Sequence, residues 1–149
     1  MEVNIFIDDK YGILDEDKYS RIIKRALQIL KIDKDYDIEL ALVDNEEIRK
    51  INKKYRKIDK ATDVLSFPFK YNKDLSKDDF VLPKEHFNKL GQIIISHDKA
   101  SEQAEQNNYS LEKEVLLLFV HGLVHLLGFD HKNDAQESKM KNIEKQILN

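Results

Sequence analysis

The stretch IELALVDNEEI, residues 38–48, changes its period halfway along. Ile38, Leu40 and Leu42 alternate with other side chains, the two-residue period of a strand. At Asp44 the pattern switches. Asp44 suits a helix N-cap, with Glu47 three residues on in a capping-box arrangement. Ile48, Ile51 and Tyr55 then recur at helical spacing as an apolar stripe, and Arg56 lies at the helix end. A strand running into a capped helix is the unit from which α/β layers are built.

The same reading extends outward in both directions. Val3, Ile5 and Ile7 alternate, predicting a first strand over 3–8. Tyr19, Ile22, Ile23, Ala26, Leu27 and Leu30 predict an amphipathic helix over 16–31. The β-α-β start implies a right-handed parallel crossover between the first two strands. Toward the C-terminus, VLSFPF at 64–69 reads as a third strand. Pro68 cannot donate to a ladder, so this strand belongs at a sheet edge or ends there. Residues 70–89 are polar, include Pro83, and read as a long loop of the kind that is often functional. Ile93, Ile94 and Ile95 make a fourth strand, and a short helix follows near 98–107. Ser110 caps the next helix, with Glu112 and Glu114 near its positive end. Asp134 with Glu137 suggests another capping box, and Met140, Ile143 and Ile147 give the last helix its buried side. The expected fold class is α/β (α+β): a small mixed four-stranded sheet packed with about five helices, forming one layer-type domain over residues 1–149.

Bulk composition bounds the function. Of the 149 residues, 41% are hydrophobic, enough for one core, and 36% are charged. The net charge of −3 argues against a globally basic nucleic-acid binder and leaves room for a local basic patch. RKINKKYRKIDK, residues 49–60, is such a patch: it carries a net +6, so the rest of the chain sums to −9. That concentration reads either as a solvated helix face or as a footprint for the phosphate backbone of a nucleic acid, with Lys53, Lys54 and Lys57 as candidate contacts. Within it, Tyr55 reads as a core residue in preference to a stacking platform. The chain has no cysteine, so any metal must rely on His, Asp and Glu. The N-terminus lacks the pattern of a signal peptide. The most apolar segment, 115–127, falls short of the roughly 20 residues a membrane span needs. A cytoplasmic protein without membrane contact is expected.

The chemistry concentrates in HGLVHLLGFDH, residues 121–131. Residues four apart on a helix share a face with Cβ atoms about 5–6 Å apart, so His121 and His125 can point at one ion. Gly128 suits a left-handed cap that turns the chain back and brings His131 toward the pair. Three imidazoles leave a position open, the arrangement of a catalytic zinc site; nickel or another divalent metal would also suit them. Asp130 reads either as a carboxylate that orients an imidazole by accepting its second N–H or as a plain turn or surface aspartate. Glu114 is two helical turns from His121, about 10 Å of rise, too far for that role. His86 and His97 lack such company and read as ordinary surface residues.

Two motifs together resemble the YbeY family of rRNA maturation factors, metal-dependent endoribonucleases of bacteria: HGLVHLLGFDH at 121–131 and NKKYRKIDKATDVLSFPF at 52–69. The element order and LGQIIIS at 90–96 are also similar. The resemblance covers most of the chain, leaving 70–89 and the ends weakly matched. It implies that His121, His125 and His131 hold one metal, usually zinc. It implies that Arg56 stands near the metal and serves activity, and that Thr62 and Asp63 form part of the supporting wall. It further implies cleavage of single-stranded RNA, maturation of the 3′ end of small-subunit rRNA, ribosome quality control, and partners in the small subunit or its assembly factors. The chain departs from the family pattern at Gln92, where an aspartate is usual, and at Phe129, where a tyrosine is common.

These residues suit phosphodiester cleavage. A divalent metal can act as a Lewis acid on phosphoryl oxygen or acidify a water. Arg56 can offer a bidentate fork to phosphate. The nucleophile is either water or the RNA's own 2′-hydroxyl. A zinc peptidase shares the histidine spacing but needs a glutamate directly after the first histidine, where this chain has Gly122. A metal-dependent RNA- or ribosome-binding factor without catalysis is the third reading.

Overall fold

The computed structural model describes residues 2–69 and 89–149. The loop expected over 70–89, including Pro83 and His86, lies outside the described residues except for Lys89, which begins a strand. The element order is β1 (Val3–Asp9), α1 (Glu16–Ile29), β2 (Tyr36–Val43), α2 (Asn45–Arg56), β3 (Val64–Pro68), β4 (Lys89–Ser96), α3 (His97–Asn107), α4 (Leu111–Leu126) and α5 (Asp134–Leu148). This is the α/β arrangement the sequence predicts. The four strands form one mixed sheet in the order β1-β2-β4-β3. β1 pairs with β2 and β2 with β4 in parallel, while β3 runs antiparallel to β4 at the edge. Pro68 thus sits on an edge strand, where its missing donor is tolerated.

Each face of the sheet has its own cover. Ile5, Ile38, Leu40, Leu42, Ile93 and Ile95 point to one face and join the main core with α1, α4 and α5. Ile94 points the other way and packs with Val43, Leu65 and Ile48 of α2. Strand β4 is therefore apolar on both faces, which explains its unbroken run of isoleucines. Helix α4 is the most buried helix: Val115, Phe119, Val120, Leu123 and Val124 are fully inaccessible. Arg25 of α1 donates from Nε and Nη2 to the Gln146 carbonyl at 3.2 and 3.1 Å, fastening the end of α5.

Helix starts follow local chemistry. Asp44 accepts from the Glu47 N–H at 2.8 Å, and Ser110 accepts from the Lys113 N–H at 3.1 Å. The last helix begins one residue earlier than the expected Asp134–Glu137 box. Asn133 is its cap, extended at φ −142°, ψ 171°, and accepts from the Gln136 N–H at 2.8 Å. The Gln136 side chain in turn accepts from the Lys132 N–H at 3.1 Å. Asparagine caps as well as aspartate does, and here its backbone is the one already extended. His97, expected as a plain surface residue, opens α3 half-buried, its ring stacked on Tyr11 with centroids 3.9 Å apart.

The pairing of β3 with β4 depends on a glycine. Gly91 lies opposite Pro68. A Cβ there would stand 2.5 Å from the Phe67 carbonyl oxygen and 2.8 Å from Leu126 Cδ2. The first of these is backbone and cannot swing aside. Gly91→Ala is expected to cost about 2 kcal/mol or more, in the range of overpacked cores, read as a lowered denaturant midpoint.

Candidate metal centre

The centre is built on the end of α4. His121 and His125 occupy its last turns, and the helix closes on a Schellman turn. The Gly128 N–H donates to the His125 carbonyl at 3.0 Å, and the Phe129 N–H to the Val124 carbonyl at 3.2 Å. Gly128 has φ +105°, a conformation that side chains rarely adopt. The turn folds the chain back and places His131 beside the helix. Ring centroids lie 4.8 Å apart for His121–His125, 5.0 Å for His125–His131 and 5.7 Å for His121–His131. One nitrogen from each of the three rings lies within 4.8 Å of the others. The structure thus brings together the three histidines singled out from sequence.

Two of the rings are held from behind. His121 Nδ1 lies 2.7 Å from Glu144 Oε1, and His125 Nδ1 lies 3.0 Å from the Phe129 carbonyl oxygen. An ionised carboxylate and a carbonyl only accept, so both Nδ1 atoms carry the proton. Both neutral rings then present an Nε2 lone pair, the form in which imidazole binds metal. Burial and the two neighbouring imidazoles hold the His125 pKa below the usual range. The hydrogen bond to Glu144 outweighs burial at His121 and raises its pKa.

The sequence leaves Asp130 between ring orientation and a turn role, of which the geometry matches the second, and does not single out Glu144. Asp130 Oδ1 accepts from the His131 backbone N–H at 2.8 Å and stands 3.7 Å from His131 Nδ1, beyond hydrogen-bond length. It braces the turn and adds negative charge next to an exposed ring. Glu144 lies on α5, four residues after Met140 and three before Ile147, on the edge of that helix's buried stripe. A glutamate on the edge of a buried stripe is a weak signal, and nothing local in the sequence ties it to His121. Phe129 contributes through its carbonyl, so a phenylalanine serves as well as a tyrosine there.

The three rings open into a cleft of about 640 Å³ between α4 and strand β3. Arg56, at the end of α2, lines the same cleft. Among the described residues no hydrogen bond or ion pair engages its guanidinium. Asp63 forms part of the wall, with its carboxylate accepting from the Val64 N–H at 2.7 Å and from Gln103 Nε2 at 3.2 Å. Lys53, Lys54 and Lys57 do not line the cleft; they stand exposed at the end of α2, with Lys53 4.0 Å from Asp59. Tyr55, expected in the core, is 64% exposed and faces the cleft. Glu114 is buried by α4's own packing, and desolvation raises its pKa. Gln92 faces a separate hollow, shared with Phe6 and Glu39, so the departure at this position lies outside the histidine cleft.

Gly122 takes a packing role. A Cβ at 122 would meet Ile93 Cγ2 at 3.1 Å, so the position faces the sheet. A glutamate there would drive its carboxylate toward the main core.

An α/β sheet whose edge cleft gathers three imidazoles and an arginine that pairs with none of the described residues suits the class of metal-dependent hydrolases that act on charged substrates. The sequence profile described as Endoribonuclease YbeY matches residues 4–149, and the chain belongs to the YbeY family. The Endoribonuclease YbeY of Caldicellulosiruptor saccharolyticus is 41% identical over 145 residues, spanning 94% of this chain and 90% of that one. Its counterpart in Acholeplasma laidlawii is 40% identical, spanning 100% and 96%. The solution structure of TM1509 from Thermotoga maritima superposes with a TM-score of 0.57 at 26% identity, covering 98% of this chain and 89% of that one.

Two outcomes follow from this geometry. Glu144→Gln is expected to lower the His121 pKa in chelator-treated protein, followed by imidazole NMR, and to weaken metal binding roughly 10- to 100-fold. Because the folded pKa is the raised one, the His121–Glu144 pair stabilises the metal-free fold fully below the unfolded value of about 6.5. That contribution fades as pH rises through the folded value, so the melting difference between variant and wild type shrinks with rising pH. Gly122→Glu is expected to lower the melting temperature and to confer no peptidase activity on unstructured protein.

Proposed function

We propose that this chain is a metal-dependent endoribonuclease that cuts single-stranded RNA, acting on the 3′ end of small-subunit rRNA and in ribosome quality control. The observation that carries the proposal is the convergence on one cleft of three imidazoles and the Arg56 guanidinium, which pairs with none of the described residues. His121, His125 and His131 would hold the metal, and zinc suits three imidazoles with an open position. When bound, the metal supplies Lewis acidity toward a phosphoryl oxygen.

The chain's own residues do the rest. Glu144 and the Phe129 carbonyl keep two ligand rings in the right tautomer. Arg56 offers its planar fork to the scissile phosphate and balances the charge that develops at phosphorus. Lys54 and Lys57, exposed on the basic shoulder beside the cleft, attract the flanking backbone. The RNA's 2′-hydroxyl or a water serves as nucleophile. The peptidase reading loses ground because position 122 holds a glycine, which supplies no base, and a Cβ there would already crowd Ile93 at 3.1 Å. Among the described residues no helix is long and apolar enough to cross a membrane. A cytoplasmic setting and contact with the small ribosomal subunit or its assembly factors follow from the proposed substrate.

Elemental analysis paired with cleavage of an unstructured oligoribonucleotide tests the proposal. His121→Ala is expected to lose both metal and cleavage. Arg56→Ala is expected to keep the metal and lose roughly 100- to 1,000-fold in kcat, the scale for removing one donor to a developing charge. Metal-loaded wild type that leaves the RNA intact would overturn the assignment.

A further inference from the structure

Tyr55 is an exposed aromatic in a specific place. It is 64% accessible, although it continues the apolar stripe of Ile48 and Ile51. Tyr55 lies in the last turn of α2, which ends at Arg56 and caps at Lys57 in the left-handed conformation. The phenol ring lies against Phe67 of β3, with centroids 5.7 Å apart and planes 56° apart. Both rings line the cleft that holds the histidines. Lys54 Nζ stands 5.2 Å from the Tyr55 centroid, and Arg56 follows directly in sequence. The cleft therefore has two unlike walls. One is the imidazole cluster; the other carries Tyr55, Phe67 and Arg56, with Lys54 outside the cleft against the Tyr55 ring.

Isolated exposed aromatics are common and need no explanation. An aromatic pair next to an arginine inside a reaction cleft has a defined chemistry. Its π-face takes a nucleobase, and the neighbouring cations take the phosphates on either side. We infer that Tyr55, supported by Phe67, is the platform on which one base beside the scissile phosphate stacks, and that this contact makes the site select unpaired RNA. The inference rests on the nuclease reading above. In a duplex both faces of each base are already covered by neighbours, and the strand cannot present one to Tyr55 without unstacking. A single strand can do so at little cost. Lys54 and Arg56 then hold successive phosphates. Tyr55 is thus a specificity-determining residue. It contributes a ring face, and its hydroxyl is not required.

The test uses full-length, metal-loaded protein. Tyr55→Ala is expected to raise KM for an unstructured oligoribonucleotide about tenfold, within the range for losing one stacked base, with a smaller change in kcat. Tyr55→Phe is expected to restore the wild-type KM, because the ring survives. If Tyr55→Phe is as impaired as Tyr55→Ala, the hydroxyl is the working group and stacking is overturned. A second measurement does not depend on turnover. The chain has no tryptophan, so Tyr55→Trp places a unique indole on the platform. In a His125→Ala background, its fluorescence should be quenched by the single strand and unchanged by the duplex of the same sequence. Equal quenching by both, or by neither, overturns the inference. The two readings fail separately. If wild type cuts no RNA while the indole still distinguishes strand from duplex, the nuclease assignment falls and the platform stands. If cleavage is intact and Tyr55→Ala matches wild type, the platform falls and the nuclease stands.

Discussion

The closeness of α4 to strand β4 determines the rest of the molecule. At Gly122 the helix approaches Ile93 so nearly that even one methyl group would force a side chain to give way. That contact fixes the height and rotation of α4 on the sheet. His121 and His125 lie one residue before and three after the contact point, so their rings emerge at the helix flank, over strand β3 and away from the core. A helix standing further off would bury its histidines less and leave the cleft wider. The same close approach recurs at Gly91, where β3 and α4 both crowd β4. Two glycines in adjacent elements therefore set the dimensions of the cleft.

Holding the rings is a task divided among distant parts of the chain. The Phe129 carbonyl acts on His125 from within the Schellman turn, a local arrangement. Glu144 acts on His121 from another helix, and that helix is fastened to α1 through Arg25. Charge is distributed in a similar way. The basic segment around α2 looks uniform as a string of letters, yet Arg49 is committed to Asp59 at 2.7 Å and Lys53 stands near the same carboxylate. Arg56 alone among these residues enters the cleft.

How much of this was legible in the sequence depended on range. The strands, the caps at Asp44 and Ser110, the edge position of Pro68 and the histidine triad all express short periods or fixed offsets, and each could be read directly. The cap at Asn133 was displaced by one residue because asparagine and aspartate are adjacent and cap about equally well. Glu144 was invisible because it is separated by 23 residues from the ring it holds, across two helices. Tyr55 was misread because its spacing continues the stripe of Ile48 and Ile51. Periodicity records which way a side chain points and cannot say where the sheet underneath ends.

The three imidazoles fall within residues 121–131, while Arg56 enters from 65 positions before the first of them. The two halves of the cleft therefore demand very different degrees of chain organisation. The imidazole cluster is spaced by the last turns of one helix and the bend after it, contacts of low sequence separation and small entropic cost, with Glu144 added from α5. Bringing Arg56 opposite them requires β3 to be paired with β4 and α2 to be packed on the far face of the sheet. Arg56 thus ties the site to the whole fold: the nitrogens are spaced largely by one stretch of chain, and the complete constellation exists only in the finished molecule.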